Sequence, residues 1–394
     1  MGAFLAVRYA FGIGACATFL GLYFSISLIW IGLALFLLSG LALGLATRNF
    51  TWLYRDPFFP PVFLLILSLS ASVVAAPPYP FKGAIVKILM PFYLFLFAWA
   101  FRLYPVGKKL LFKSCIFLSF FGGLVAVTQS FGVFQKYLPR LNPYLYPLPQ
   151  SPGLHLAVGL TRHHTTFGFT LILLFHILLS HTLFSKKSRK ETVLLLACTS
   201  CLVGVLFTFS RGAWLSLAAS TGLVFLVVNQ RAFLKSCLIG VAFFSALSFF
   251  VPSFKQRLAS FNFSANQERL ELWKVSWKMF EDAPVLGQGY DSFGFRIPQF
   301  SDLPKTSPGT PLDPHNMYLE FLATSGLVGL LSFLFFAAFV FKFLSGKLKT
   351  SPWALSAFAV FTAFCIGGFF DRYFDMQHTL IPVLCLLGLV SSET

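Results

Sequence analysis

The stretch NMYLEFLATSGLVGLLSFLFFAAFVF, residues 316–341, contains one charged side chain, Glu320. About 20 consecutive apolar residues are enough for a helix to cross the roughly 30 Å hydrocarbon core of a bilayer. The stretch therefore predicts a transmembrane helix, with its single carboxylate near the N-terminal end.

Comparable apolar runs recur along the whole chain, each about 17–22 residues long. We place the spans at residues 9–26, 28–47, 60–76, 84–101, 110–131, 166–184, 192–209, 212–229, 233–251, 316–341, 353–370 and 376–392. The first two are separated by almost nothing and are also compatible with one re-entrant pair. The composition agrees, since the chain is 57% hydrophobic and 11% charged, whereas soluble domains carry about 25% charged residues. The sequence predicts an all-α polytopic membrane protein with about 12 spans, forming one integral membrane domain over 1–394.

The formal net charge of +17 reflects topology rather than nucleic-acid binding. If the N-terminus lies in the cytoplasm and the spans alternate, the inner loops hold roughly twice as many Lys and Arg residues as the outer loops, which is the positive-inside bias. We therefore expect both termini in the cytoplasm, membrane lipids as neighbours and no nucleic-acid partner. The first apolar run lacks a clear cleavage site, so no cleavable signal peptide is expected.

Two predicted outer segments are too long to be simple turns. One, 132–165, is rich in proline, and the other, 252–315, holds or borders most of the acidic residues. Loops of this length in a compact protein are usually functional. The inner loops are short and lack a nucleotide-binding glycine signature, so neither ATP nor a nucleotide sugar is expected as a substrate.

Arg211 stands between two apolar runs with almost no loop, in the sequence Thr208-Phe209-Ser210-Arg211-Gly212. An arginine at that depth is costly and normally has a partner or a ligand. An arginine that extends its charged end to the membrane border would explain the position equally well. Gly212 allows close approach of another segment.

Arg269 lies in the first turn of a predicted helix, because Ser264 and Gln267 have capping-box spacing. Four apolar side chains fall within an arc of roughly 80° on that helix: Leu270, Trp273, Trp277 and Phe280. This pattern predicts an amphipathic helix on the membrane surface, ending before Pro284 and the Gly287-Gln288-Gly289 turn. Arg269 and the free N–H groups would form an anion site. A solvated interfacial arginine is the alternative.

His315 follows Asp313-Pro314, which resembles a helix start with Asp313 as N-cap and Pro314 at the first position. The histidine is then at the outer end of a span. The helix dipole disfavours a protonated imidazole there, so we expect a neutral His315 that can accept a proton. A capping or interfacial histidine is the alternative.

Two further groups face outward. Arg162 is another candidate anion contact, next to His163 and His164, but we expect no metal site because no carboxylate lies near them in the sequence. Asp371, Arg372 and Asp375 cap the turn between the last two spans. We expect these three to pair with one another, and they could also orient a catalytic arginine.

Three motifs in this order resemble the O-antigen ligase and polymerase superfamily, and most closely its ligases. They are Ser210-Arg211-Gly212-Ala213, then Arg269 with Trp273 and the run Pro284–Gly289, then His315-Asn316-Met317-Tyr318-Leu319-Glu320 with Gly326-Leu327-Val328-Gly329. The resemblance covers about 160–345. It implies a fold of the membrane glycosyltransferase (GT-C-like) type in the bacterial inner membrane, with the active site in the periplasm and no cofactor.

The resemblance also implies roles for the site residues. Arg211 and Arg269, with Arg162 as a further candidate, would bind the pyrophosphate of an undecaprenyl-pyrophosphate-linked glycan. His315 would deprotonate the acceptor hydroxyl, which in an O-antigen ligase belongs to lipid A-core. Possible supporting residues are Ser210, Asp313, Asn316 and Arg372. The Thr161-Arg162-His163-His164 run departs from the family pattern and leaves the role of His163 open.

The chemistry of such a donor suits these residue types. Pyrophosphate is already a leaving group, so the site has to neutralise its charge, a task for arginine, and supply a base, a task for histidine. One displacement would invert the anomeric carbon without a metal. An O-antigen polymerase and an O-linked protein oligosaccharyltransferase fit the motifs too, and a flippase that binds the same lipid is the alternative from another class.

Overall fold

We describe the structure from a computed structural model. It covers residues 51–76, 82–137, 146–148, 153–161, 163–185, 189–229, 263–301 and 313–393, with scattered residues between 7 and 42 and residues 249 and 255. Within these residues the chain forms helices and one isolated bridge, between Pro147 and His155, and no strand. The predicted all-α class is confirmed.

The described helices run in chain order as follows. They are α1 (Thr51–Tyr54), α2 (Phe59–Ala75), α3 (Lys82–Leu89), a 3₁₀ turn (Met90–Phe92), α4 (Tyr93–Leu103), α5 (Val106–Ser130), α6 (Val133–Tyr137), α7 (His164–Phe184), α8 (Arg189–Phe207), α9 (Arg211–Val228), α10 (Phe263–Asp282), α11 (Phe293–Phe300), α12 (Met317–Ser345), α13 (Pro352–Gly367) and α14 (Gln377–Ser391).

The predicted spans correspond closely to these helices. Six helical segments are long and apolar enough to cross a membrane, namely Gly83–Leu103, α5, α7, α8, α9 and α12, and α2, α13 and α14 are shorter apolar helices. Each predicted span from residue 60 onward therefore coincides with an apolar helix, except 233–251. The predicted spans 9–26, 28–47 and 233–251 lie outside the described residues, apart from the scattered positions.

Helix α7 lies at the centre of the bundle. Of the residues in its most apolar stretch, 78% are buried. Helices α5, α8 and α13 pack along it. Helix α9 packs on α13, α14 on α4, and α12 on α2 and α10. The first turns of α7 pack against the first turn of α9, since a Cβ on Gly168 would lie 2.9 Å from Ala213 Cβ.

Helix α12 is interrupted at Gly326, whose backbone lies at φ 63° and ψ −165°. This conformation is essentially restricted to glycine. The interruption frees backbone groups, and the segment 284–289 binds them. Gln288 N donates to Ala323 O (3.0 Å) and Gly289 N to Thr324 O (2.9 Å), while Leu327 N donates to Pro284 O (2.9 Å) and Val328 N to Val285 O (3.1 Å). We call these four hydrogen bonds the backbone clasp.

The backbone clasp separates two parts of α12 with different surroundings. Before the break, Met317, Glu320 and Phe321 are buried; after it, Leu327, Val328 and Leu331 are exposed. Exposed apolar side chains on a membrane helix are the ones that meet lipid. The first turns of α12, which follow His315, are therefore enclosed by protein.

Replacing Gly326 with alanine tests the clasp. A Cβ at this position would collide with the Val285 carbonyl, and the backbone angle is strained for any L-residue, so we expect a loss of about 1–3 kcal/mol of stability. The measurement is thermal unfolding of the detergent-purified protein. Gly346→Ala is the matched control, since Gly346 has helical angles and open space around its Cβ position. Equal melting temperatures for the two variants would contradict the clasp.

Candidate active site

His315 lies between the clasped region and the C-terminal end of α13. The expected helix start is wrong by three residues: α12 begins at Met317, and Asn316 is its N-cap, with its side-chain oxygen accepting from Tyr318 N and Leu319 N. Asp313 instead accepts from the backbone N of His315 at 3.0 Å. His315 has a positive φ of 46°, a conformation uncommon outside glycine that histidine adopts more readily than most residues. The tight turn directs its ring towards the α13–α14 turn.

Two carboxylates face the same ring nitrogen of His315. Its Nδ1 lies 3.2 Å from Asp313 Oδ1 and 3.7 Å from Asp371 Oδ1. The adjacent carboxylate of Asp371 is the largest cause that raises the pKa of His315 above its ordinary value, and the charge of Asp313 acts in the same direction, against burial and Arg269. The expectation from the helix dipole alone was therefore wrong. Carboxylates within hydrogen-bond reach outweigh it.

Asp371 is almost fully buried, yet its surroundings favour the ionised form. Burial favours the neutral acid, but the neighbouring His315, the hydrogen bond from Thr165 and the charge of His163 hold its pKa below the ordinary range. Thr165 Oγ1 donates to Asp371 Oδ2, and His163 Nδ1 lies 4.0 Å from the same oxygen. Because His163 and Thr165 begin α7, the central helix of the bundle fixes this carboxylate.

The polar residues of the α13–α14 turn do not pair mainly with one another, as we had expected, but reach other elements. Arg372 Nε lies 3.3 Å from Asp313 Oδ2, and Asp375 Oδ1 accepts from the Tyr290 hydroxyl at 2.6 Å. The correction has a simple cause: burial favours contacts with oppositely charged or hydrogen-bonding groups, and the fold places such groups of other elements beside Arg372 and Asp375. The turn therefore joins α7, α12 and the segment after α10.

Arg211 is the first residue of α9. Ser210 is the N-cap of this helix, and its hydroxyl oxygen accepts from Ala213 N at 3.3 Å. A Cβ on Gly212 would lie 2.8 Å from Phe370 Cβ. The predicted close approach at Gly212 is thus confirmed, and it sets the start of α9 against the residue that precedes Asp371.

Helix α10 carries Arg269 towards the same place. The predicted helix is present over Phe263–Asp282, and Trp273 Nε1 donates to Pro314 O at 2.9 Å. Arg269 lies one turn before Trp273 and senses the charges of Asp371, Arg211 and Asp313. Burial is the main cause that lowers the pKa of Arg269, and Arg211 lowers it further. The positive charges of Arg211 and Arg269 repel each other, and this pair favours the binding of an anion.

Helix α10 packs on the protein through a different face from the one that carries its predicted apolar arc. Leu272, Val275 and Met279 are buried, and they cluster with α11 and with Ala323 of α12. Leu270 and Trp277 are each 51% exposed. The arc is thus free to contact the membrane surface, and its position there remains a prediction.

The other expected site residues divide into three groups. Ser210 and Asn316 are helix caps, which explains them structurally. Asp313 and Arg372 join the site directly. Arg162 lies outside the described residues, while its neighbour His163 borders Asp371.

The fold also creates a cluster that we did not expect from the sequence. Asp313, His315 and Asp371 each place one potential metal-ligand atom within 4.8 Å of the others. Asp371 and His315 are far apart in the chain, so the sequence gives no reason to pair them. Three such ligands could hold a divalent cation, although Arg372 already pairs with Asp313.

Sequence reasoning missed Asp371 as the partner of His315, together with Thr165, Lys87 and Tyr290. A signal was present for Asp371 and Asp375, because carboxylates beside a span are expensive and usually functional. Thr165 and Tyr290 gave no signal, since hydroxyl groups near span ends are common. Only the fold brings them to the carboxylates.

Comparison with known protein families gives a match over part of the chain. Residues 194–334 match a family model described as O-antigen ligase. The match confirms the superfamily resemblance and supports a glycosyltransferase of the O-antigen ligase or polymerase type. It spans Arg211, Arg269, His315 and the backbone clasp, whereas Asp371 lies beyond it. No curated protein matches the chain significantly.

The raised pKa of His315 predicts a pH profile for an O-antigen ligase or polymerase reaction. If His315 acts as the base it must be unprotonated, so kcat should rise with pH through a pKa above the usual 6.5 of histidine. Asp371→Asn removes the main cause of the shift. Its profile should move to lower pH by about 1 unit, with a lower plateau. The measurement is transfer rate against pH, with Glu271→Gln, an exposed carboxylate of α10, as control. If the pH profile of Asp371→Asn equals that of the wild type, Asp371 does not set the pKa of His315.

Proposed function

We propose that the protein transfers a glycan from an undecaprenyl-pyrophosphate donor to an acceptor hydroxyl, as an O-antigen ligase does to lipid A-core. One observation carries this proposal. The arginine pair Arg211 and Arg269 lies near His315, whose ring contacts the carboxylates of Asp313 and Asp371. The family match supports the reaction type, and the donor and acceptor are our inference from the site chemistry.

The arginine pair suits the leaving group. A pyrophosphate gains negative charge as its bond to the sugar breaks, and arginine offers forked donors that remain charged at any relevant pH. Arg211 is the first residue of α9, so the free N–H groups of that helix start add positive potential beside it. Arg269 lies in the second turn of α10 and contributes its guanidinium alone.

His315 suits the base. Since Nδ1 faces Asp313 and Asp371, Nε2 is the nitrogen that would take the acceptor's proton. As the acceptor oxygen bonds to the anomeric carbon, the bond from that carbon to the pyrophosphate oxygen breaks and inverts the centre. The proton moves to His315, whose cation the carboxylates stabilise, and the pyrophosphate leaves with the bonding electron pair.

A lipid flippase is the alternative from a different class, and the broken helix α12 is the feature that favours it. Transporters bind substrates at interrupted helices whose freed backbone groups line a cavity. In α12 the four clasp hydrogen bonds occupy those groups. The break therefore serves packing, which favours the enzyme.

We further propose that the site lies on the periplasmic face of a bacterial inner membrane, with both termini in the cytoplasm and the loops 132–165 and 252–315 in the periplasm. The charge asymmetry of the loops supports this orientation. Reporter fusions near residues 188 and 347 should give cytoplasmic signals, and one near 300 a periplasmic signal. A cytoplasmic signal near 300 would reverse the orientation and place the site on the other face.

Reconstitution tests the reaction directly. Purified protein in liposomes should transfer glycan from an undecaprenyl-pyrophosphate-linked donor to rough lipopolysaccharide, and less well to a second lipid-linked glycan or to a protein. We propose that transfer needs no metal, so it should persist in a strong chelator. Loss restored by Mg²⁺ or Mn²⁺ would instead assign an ion to Asp313, His315 and Asp371. Preference for a second lipid-linked glycan would indicate a polymerase.

Conservative variants separate the two roles within the site. Arg211→Lys and Arg269→Lys keep the charge and lose the forked donors, so transfer should fall about 100-fold or more. His315→Ala should lower turnover by about 10²–10⁴-fold while donor binding persists. The control is Arg189→Lys, at the opposite end of α8 from the site. Full activity in either site lysine variant would reduce that arginine to a charge at the membrane border.

A further inference from the structure

A second polar cluster lies beneath the proposed active site and takes no part in the chemistry described so far. Its centre is a pair of carboxyl groups, Glu320 of α12 and Asp375 of the α13–α14 turn, which are 5% and 9% exposed. They line a small cavity together with Tyr290 and Arg372, closed by the aromatic rings of Phe321 and Phe374. Ionisable groups in such surroundings are costly and need a specific reason.

The two oxygens of Asp375 differ in their surroundings. Oδ1 accepts from the Tyr290 hydroxyl at 2.6 Å. Oδ2 is buried, and no N–H or hydroxyl group of the described residues donates to it. Lys87 Nζ is 3.7 Å away, close enough for an ion pair but too far for a hydrogen bond. A buried acceptor without a donor is rare and costs free energy.

Glu320 lines the same small cavity as Asp375, and the two carboxyl groups interact with each other there. Two carboxylates that share one small buried cavity repel each other, so one of the two is expected to keep its proton. Among the described residues, no basic side chain lies within 4.0 Å of Glu320, whereas Lys87 meets that limit for Asp375. The anion is therefore favoured on Asp375, and the proton on Glu320, whose O–H would supply the donor that Oδ2 lacks.

Arg372 connects this pair with the site above it. Its guanidinium senses the carboxyl groups of Glu320, Asp313 and Asp375, which raise its pKa although burial lowers it. Nε of the same side chain lies 3.3 Å from Asp313 Oδ2, and Asp313 faces His315 Nδ1. A change in the position or charge of Glu320 and Asp375 would therefore move Arg372. Through Arg372 it would affect Asp313, the carboxylate beside the His315 ring.

We propose that Glu320 and Asp375 share one proton and act as a positioning pair, which holds Arg372 and through it Asp313 and His315. The role within the reaction rests on the proposed function, whereas the shared proton does not. Neither residue touches the substrate. A neutral Glu320 also keeps the buried cluster from gaining an uncompensated negative charge.

Infrared spectroscopy tests the proton without any activity assay. Wild-type protein in bilayers at neutral pH should show the carbonyl band of a protonated carboxyl group, and the band should shift in D₂O. The difference spectrum between wild type and Glu320→Gln should contain this band. The matched control is Glu393→Gln, since Glu393 pairs with Lys108 at 3.1 Å in an accessible position; its difference spectrum should lack the band. Absence of the band from the Glu320→Gln difference spectrum would overturn the proposal.

Activity measurements test the positioning role. The amide of Glu320→Gln can still donate to Asp375 Oδ2, so transfer should remain within about 3-fold of wild type. Asp375→Asn removes the anion near Lys87 and Arg372. It should lower kcat by about 10- to 100-fold, leave the donor KM unchanged and move the pH profile that His315 governs.

Two results would contradict the positioning role. Glu320→Gln as inactive as Glu320→Ala would show that an ionised Glu320 is required. An Asp375→Asn variant with wild-type kcat and pH profile would disconnect the pair from His315. If the wild-type protein shows the infrared band but transfers no glycan, the proposed function is rejected. The proposal that Glu320 and Asp375 share a proton would still stand.

Discussion

The backbone clasp between the segment 284–289 and the break at Gly326 is the constraint on which the candidate active site depends. A membrane helix can be interrupted only where other protein groups satisfy the freed N–H and C=O groups. Here the segment that follows α10 satisfies them. The clasp therefore does two things: it allows α12 to change direction, and it fixes the end of α10 against it. Arg269 lies on α10 and His315 lies two residues before α12, so this contact helps to set the distance between them.

The charged residues near the clasp form two groups, an upper layer around His315 and a lower layer around Asp375. The upper layer contains Asp371 and Asp313 around His315, with the arginines of α9 and α10 beside it. The lower layer contains Asp375, Lys87 and Tyr290. Arg372 lies between the layers. Each layer places an anion beside a group that can carry positive charge or donate a proton, which is the condition under which buried ionisable groups persist.

Much of the fold followed from the sequence, because span length and hydrophobicity are local properties. Arg211, Arg269 and His315 were also accessible, since each interrupts or borders an apolar pattern. The start of α12 was misplaced because Asp313-Pro314 imitates a helix cap, and the side chain of Asn316 gave the stronger one. The protonation preference of His315 could not be read locally. It depends on Asp371, which reaches the histidine only through the packing of α13 on α7 and α9.

The position of Asp371 in the chain has a consequence for biogenesis. Arg211, Arg269 and His315 all precede α13, but the carboxylate that orients the histidine belongs to the turn between α13 and α14. During synthesis, α13 and the turn that follows it have to be made before the carboxylate can contact the imidazole ring. A nascent chain that already contains both arginines and the histidine is thus still incomplete. The order of translation itself delays competence until the bundle has closed.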